Sequence, residues 1–341
     1  MDHQALAIEE IPLRKHKGGY MQINKALDLS SFQDYLEAQL SHLPAIADVE
    51  RISPRVIRVL GKNAGMFTLQ GTNTYIVGTG RHRILIDTGQ GIPEWAELLS
   101  TTLEAENSSL SYVLISHWHG DHMGGVPDLC HLYPYLFNSI YKSSPGINQQ
   151  PIVDGQLFSV EGATLRAVHS PGHSHDHMCF VLEEDNAMFT GDNILGHGTA
   201  ANEHLNTWME SLRVMSIHNC KIGYPAHGMV IENLPGKIKN ALAVKAKREV
   251  LALQVLQKVK LRAGKGKGSI TVRELVTEAH GDRLDEAVRE MAIQPLMEEV
   301  LRKLAEDQKV AFEVRYLKVV WLKSLCLKSL ASPLLYRSKY S

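Results

Sequence analysis

The 341-residue chain is 44% hydrophobic, and 36 Lys and Arg against 37 Asp and Glu leave a net charge of −1. That is the composition of a soluble globular protein with a sizeable core; it excludes a chain-wide basic surface for non-specific nucleic-acid binding, though not a local basic patch. Cys130, Cys179, Cys220 and Cys326 are dispersed without a CxxC pair, which fits structural thiols in a reducing compartment better than a disulfide framework.

The first twenty residues carry Asp2, Glu9, Glu10, Arg14, Lys15 and Lys17 without an apolar run, so no signal peptide is visible and a cytoplasmic protein is expected. Residues 1–50 read as a helical leader, with Phe32, Tyr35, Leu36 and Leu40 at helical spacing after Ser30 and Ser31. From residue 51 the pattern changes. "RVIRVLG", "NTYIVGTG" and "HRILIDTG" are short β-branched runs ended by glycine, as adjacent strands would be. "PEWAELLSTTLEA" follows as an amphipathic helix, "YVLIS" as a buried strand and "GGVPDLCHLYP" as a second helix. "QLFSVEG", "TLRAVHS", "MCFVLEE" and "NAMFTGD" are further strands, so residues 51–235 form an α/β domain.

A helical region with a winged-helix-like character is expected over 236–341. It opens with the long charged helix "KIKNALAVKAKREVLALQVLQKVK" and continues through the linker "AGKGKGS". "TVRELVTEAH", "LDEAVREMAIQPLMEEVLRKLAED" and the strand-like "KVAFEVRYLKVVWL" complete a helix–helix–hairpin order. The apolar stretch from Tyr316 to Tyr336 is interrupted by Lys318, Lys323 and Lys328, which argues against a membrane span and for a strand followed by a helix.

The chemistry concentrates in "VLISHWHGDHMGG", where His117, His119, Asp121 and His122 fall within six residues of a loop leaving a buried strand. In such a loop backbone turns set direction, and four donors can converge on one point. Imidazole and carboxylate donors without thiolate suit zinc, and ligand type alone also admits manganese or iron. Three more candidates each follow an apolar run and sit close to glycine: His173 in "VHSPGHSHDH", Asp192 in "MFTGDN" and His227 in "YPAHG". Of His169, His173, His175 and His177 one or two can face a metal, and His173 is the choice because the Pro171–Gly172 turn places it. No GxSxG elbow occurs, and "GKGKG" lacks the strand and the Ser/Thr spacing of a phosphate loop.

Asp87 in "LIDTG" together with "HWHGDH", "PGHS", "GDN" and "PAHG", in this order, resemble the five signature motifs of the metallo-β-lactamase superfamily over residues 55–230. The resemblance implies an αββα sandwich. It also implies two metal ions: His117, His119 and His173 on one, Asp121, His122 and His227 on the other, Asp192 bridging, and Asp87 steadying the loop without touching a metal. Asp87 also fits a plain turn carboxylate before Gly89.

"GGYMQINKALDL", "FTLQGTNTYIVGTGRHRILIDTGQG", "HSPGHSHDHMCFVLEEDNAMFTGDNILGHGTA" and "EAVREMAIQPLMEEVLRKLAEDQKVAFEV" further resemble the fungal metallo-β-lactamase-type thioesterases that serve non-reducing polyketide synthases. The tail from Tyr316 departs from that pattern. The implied activity is hydrolysis of the acyl-carrier-protein thioester, releasing an acid such as atrochrysone carboxylic acid or another anthraquinone or naphthacenedione precursor. The implied cofactor is two Zn2+, which lower the pKa of water from ~15.7 toward ~7 so that no serine or cysteine nucleophile is required. Asp121 is assigned proton transfer by the same resemblance. The implied partner is the carrier domain of the synthase, with neither nucleic acid nor membrane expected. The rivals are a glyoxalase-II-like hydrolase of small thioesters and an endoribonuclease of the same fold.

Overall fold

The computed structural model describes residues 42–265, 268–281, 285–315 and 318–323. The expected leader helix and the segment after Lys323 lie outside these residues. The described residues divide into two compact units, one formed by 42–152 with 160–163, the other by 153–159 with those from 164 to 323.

The first unit is built on a seven-stranded sheet with its strands in sequence order: β1 (Val49–Ser53), β2 (Val56–Leu60), β3 (Asn73–Val77), β4 (His82–Ile86), β5 (Ser109–Leu114), β6 (Ile140–Lys142) and β7 (Gln150–Pro151). The first four pair antiparallel, β1–β2 and β3–β4 across short turns and β2–β3 across the longer loop 61–72. From β4 onward pairing becomes parallel, with helices between β4 and β5 and between β5 and β6 and a loop between β6 and β7. Helix α1 (Pro93–Ala105) opens with proline in its first turn, where a missing N–H costs nothing, and buries Trp95, Leu99 and Leu103 at intervals of four. With Leu129 of α3 (Val126–Leu132), which follows the one-turn α2 (Gly120–Met123), they pack on Ile57, Val59, Ile76, Leu85 and Val113 of the sheet. Each such fully buried aliphatic contributes about 1.5–3 kcal/mol. The indole of Trp95 donates to Thr74 Oγ1 (2.9 Å), so the one polar atom of this large side chain is satisfied.

The second unit carries a five-stranded sheet in the order β12 (Ile222–Pro225), β11 (Ala187–Gly191), β10 (Met178–Leu182), β9 (Ala163–His169), β8 (Leu157–Val160). Helix α4 (Leu205–Ile217) crosses between β11 and β12, which pair parallel. Helix α5 (Leu234–Arg262) is 29 residues long and is capped by Asn233, whose Oδ1 accepts from Gly236 N (2.9 Å). Helix α6 (Val272–His280) starts from a capping box between Thr271 and Glu274. After the short α7 (Glu286–Val288) comes a single π turn (Arg289–Ile293), then α8 (Gln294–Glu306) and the antiparallel hairpin β13 (Val310–Arg315) and β14 (Lys318–Lys323).

One core joins Val168, Cys179 and Met188 of the sheet to Trp208 of α4, Leu256 of α5, Leu275 of α6, Leu301 of α8 and Trp321 of β14. The described part of the segment expected as one helix, 285–307, runs through a π turn at Arg289–Ile293. Pro295 supplies no N–H and its ring crowds the preceding turn, which favours a wider local hydrogen-bond pattern. Helix α4 and strands β1, β6, β7 and β12 are additions to the expected elements. Among the described residues no helix is long and apolar enough to cross a membrane.

The thiols of Cys179 and Cys220 are core groups. Burial pushes Cys179 up to about 12 and Cys220 up to about 11. Both therefore stay protonated at pH 8 and gain reactive thiolate only as pH rises through those values. Iodoacetamide at pH 8 is expected to leave both unmodified in the folded protein and to label both in guanidinium; peptide mass mapping decides, and rapid native labelling of Cys179 would contradict it.

Candidate metal centre

The topology brings the first unit's candidates to one sheet edge. Strands β4 and β5 run parallel with Ile86 opposite Leu114. Asp87 leaves the end of β4 and Ser116 and His117 leave the end of β5, so they emerge side by side. Asp87 has φ +59, a left-handed conformation that a carboxylate residue tolerates better than most. Its Oδ1 accepts from Ser116 N (2.7 Å), its Oδ2 accepts from Ser116 Oγ (2.8 Å), and Oδ2 also lies 2.8 Å from His122 Nδ1. A simple turn carboxylate would make none of these contacts to His122.

Two glycines let the metal-motif loop close on this turn. A Cβ on Gly124 would stand 2.4 Å from Gln90 O, and one on Gly125 2.1 Å from Thr88 O. No side chain fits there. Thr88 N and Oγ1 then both donate to His122 O (2.7 and 3.0 Å). The four candidates separate into two pairs along the loop. His117 Nε2 lies 2.9 Å from His119 Nδ1, and His122 Nε2 lies 3.2 Å from Asp121 Oδ2. All four are buried, none more than 9% exposed.

In the second unit, β9, β11 and β12 run in one direction, β10 being antiparallel to both β9 and β11. His173, Asp192 and His227 follow the C-terminal ends of these three strands and gather at one edge. Asp192 stands between the two histidines, Oδ2 3.4 Å from His173 Nε2 and Oδ1 3.3 Å from His227 Nε2. A carboxylate that presents one oxygen to each of two imidazoles has the disposition of a bridging ligand. His173 is set by its backbone: a Cβ on Gly172, which has φ +128, would come within 2.3 Å of Trp208 N, and His204 N donates to Gly172 O (3.0 Å). The His173 ring is set by Ala201, whose carbonyl lies 2.7 Å from Nδ1. Nδ1 thus carries the proton, and Nε2 is left to face Asp192.

The neighbouring histidines divide by environment. His169 and His175 are exposed, His175 beside Glu203 (3.4 Å). His177 is fully buried and accepts at Nε2 from Asp192 N (3.0 Å), while its Nδ1 lies 3.0 Å from Ser170 Oγ. It therefore holds the backbone of Asp192. Asn193 locks the same turn by donating to Ser170 O (2.6 Å). Residue type alone could not separate His177 from His173; only these partners do. Ser116 was likewise invisible as a support for Asp87.

Imidazole and carboxylate groups buried this deeply are costly unless paired or coordinated to a cation. With Nδ1 of His122 on Asp87 and Nδ1 of His173 on Ala201, the Nε2 atoms are the ones left for a metal. The ligand atoms of His117 and His119, of Asp121 and His122, and of His173 and Asp192 lie within 4.8 Å in each pair. These His/Asp groups fit metal ions by number, burial and donor type.

The sequence matches the family model of the metallo-beta-lactamase superfamily over residues 67–137 and 133–227. An atrochrysone carboxyl ACP thioesterase of Cryptosporiopsis sp. (strain 8999) is 64% identical over 304 residues, 88% of this chain and 94% of that protein. The chain belongs to the metallo-beta-lactamase superfamily. Within it, the chain is an enzyme grouping with fungal proteins of this kind; another atrochrysone carboxyl ACP thioesterase, from Aspergillus terreus, is 63% identical over 88% of this chain and 94% of its own length. A solved beta-lactamase domain protein from Burkholderia ambifaria superposes with a TM-score of 0.62 at 16% identity, covering 82% of this chain and 95% of that one. At that identity the likeness speaks for the fold alone, which is the mixed α/β metallo-β-lactamase fold expected from the motifs.

Proposed function

We propose that this enzyme hydrolyses the thioester linking a polyketide to the acyl-carrier-protein domain of a non-reducing polyketide synthase in the cytoplasm, releasing the polyketide acid. The observation that carries this reading is the 64% identity over 88% of the chain to a protein named for that activity. His117, His119 and His173 would hold one zinc ion and Asp121, His122 and His227 the other, with Asp192 shared; manganese or iron also suits the donor set. Such ions supply a nucleophilic water at neutral pH and neutralise charge developing on the thioester oxygen.

The chain's own residues do the rest. Asp87 and the Ala201 carbonyl hold the Nδ1 protons of His122 and His173, which directs Nε2 inward. His177 and Asn193 keep the Asp192 turn rigid, so its two oxygens stay aimed in opposite senses. Burial of every candidate ligand limits competing bulk water. With one carboxylate oxygen given to a metal, the other oxygen of Asp121 would take the proton of the attacking water and pass it to the departing thiolate sulfur as the C–S bond breaks.

Reconstitution with a loaded synthase tests the reading. Zinc-loaded protein is expected to release the polyketide acid and empty the carrier, with mass spectrometry of the carrier as readout. A carrier that stays loaded while a glutathione thioester or unstructured RNA is cleaved would transfer the assignment to one of those rival activities.

A further inference from the structure

The net charge of −1 conceals a local asymmetry. Between Lys237 and Arg248, helix α5 carries five basic residues and no acid. A cavity of about 120 Å³ lies against this stretch, closed on its other side by the loop from Asn193 to Ala200 that follows Asp192. Buried Asn193 and Trp208 form its floor, and Lys237, Asn240 and Arg248 its rim. No acidic residue lines it.

The three cations differ. Lys245 is 3% exposed, ion-paired with Glu299 (3.0 Å) and 5.4 Å above the Trp208 ring, so its charge is already compensated. Lys237 donates to Gly196 O (3.3 Å), which leaves its positive charge unneutralised, and that charge, after burial, helps hold the neighbouring His197 below the usual imidazole range. Arg248 makes no ion pair or side-chain hydrogen bond among the described residues. The adjacent Glu249 is taken by Lys303 (3.0 Å). Two cations without a carboxylate partner among the described residues thus face a small cleft next to the Asp192 turn. Drug-sized ligands occupy roughly 300–1,000 Å³, so this cleft suits a small anionic group and not a fused-ring acyl chain.

On the proposed thioesterase reading, the substrate brings one such group with it. Carrier proteins present acyl chains on a pantetheine arm joined through a phosphodiester. We infer that the cleft between α5 and the Asn193–Ala200 loop binds that phosphodiester, with Arg248 and Lys237 as its cationic partners. Arg248 offers a planar fork that can meet two phosphate oxygens at once, and Lys237, three turns earlier on α5, adds a point charge from further along the same cleft. The cleft then recognises the arm common to every carrier-bound substrate, whatever acyl chain it bears.

Calorimetric titration of the zinc-loaded full chain with 4′-phosphopantetheine and with pantetheine tests this directly. The phosphorylated arm is expected to bind roughly tenfold more tightly, the worth of one charge-assisted hydrogen bond. Arg248→Gln and, independently, Lys237→Gln should each narrow that gap, and Arg248→Lys should restore part of it. For carrier-bound substrate the Arg248→Gln change should raise KM and leave kcat in place, because the contact persists from ground state to transition state. Equal affinities for the two arms overturn the assignment. So does a gap that survives in both glutamine variants, which would put the phosphate elsewhere, the metals included. Inorganic phosphate bound as tightly as phosphopantetheine would mark a general anion site and equally defeat it. If the wild type hydrolyses no carrier thioester, the thioesterase reading fails while the binding comparison still decides the cleft.

Discussion

His119→Ala is expected to lower kcat for carrier-thioester hydrolysis by at least ~10³-fold and to reduce bound zinc from about two ions per chain to about one. Losing a single oxyanion donor costs ~10²–10³, and losing a ligand removes charge neutralisation and water activation together. His119 is 9% exposed, and its ring nitrogen lies 2.9 Å from His117 Nε2. The truncation therefore leaves His117 without its neighbour while the rest of the loop stays held by Gly124, Gly125 and Thr88. Circular dichroism should be unchanged, which separates a lost ligand from a lost fold. Asp192→Ala should go further, because its two oxygens face His173 and His227 separately and both ions are then affected. Stoichiometry is read by elemental analysis after gel filtration. Two ions retained in His119→Ala, or full activity in either variant, would remove these residues from the ligand set.

The parts of this protein legible in sequence are those where one physical signal dominates. Strands β2, β3 and β4 combine β-branched residues with a closing glycine or Asp-Thr-Gly turn, and α1 shows its stripe of Trp95, Leu99 and Leu103. Strand β12, "IGYP", carries a glycine and a proline that weigh against a strand by propensity; its pairing with β11 and the Ile231 bridge to Gly223 decide the matter. Strands β6 and β7 have three and two residues, too few for any periodicity to register. Helix α4 has a modest apolar stripe behind a polar, glycine-rich approach, and its burial comes from packing in one core with β9–β11 and α5. The same division holds in the site. All seven candidate ligands sit in motifs that chemistry makes conspicuous. Their supports are a hydroxyl, a carbonyl, an amide and a non-ligand imidazole, at Ser116, Ala201, Asn193 and His177. Each is ordinary by type, and each acts through a contact that only the folded chain creates.

Asp87→Asn isolates one of those supports without altering the ligand count. In the wild type the carboxylate accepts from Ser116 N and Oγ and faces His122 Nδ1 at 2.8 Å, which favours the tautomer with the proton on Nδ1. An asparagine of the same size keeps an acceptor oxygen for only one side of this arrangement. If the oxygen stays on Ser116 N, the amide N–H₂ points at His122 Nδ1 and can be accommodated only when the proton moves to Nε2, the nitrogen facing Asp121. That nitrogen can no longer donate a lone pair to a metal. If the amide flips instead, Ser116 N loses its acceptor and meets a donor in a site 2% exposed, where an unpaired polar group costs about 1–3 kcal/mol. Either way the expected result is a ~10–100-fold loss of metal affinity, measured by competition with a chromophoric chelator, with turnover recovering as zinc is raised. Recovery at high zinc distinguishes a positioning role from a ligand, since a missing ligand is not restored by concentration alone. Affinity equal to the wild type would return Asp87 to the status of a turn residue, in spite of its contact with His122.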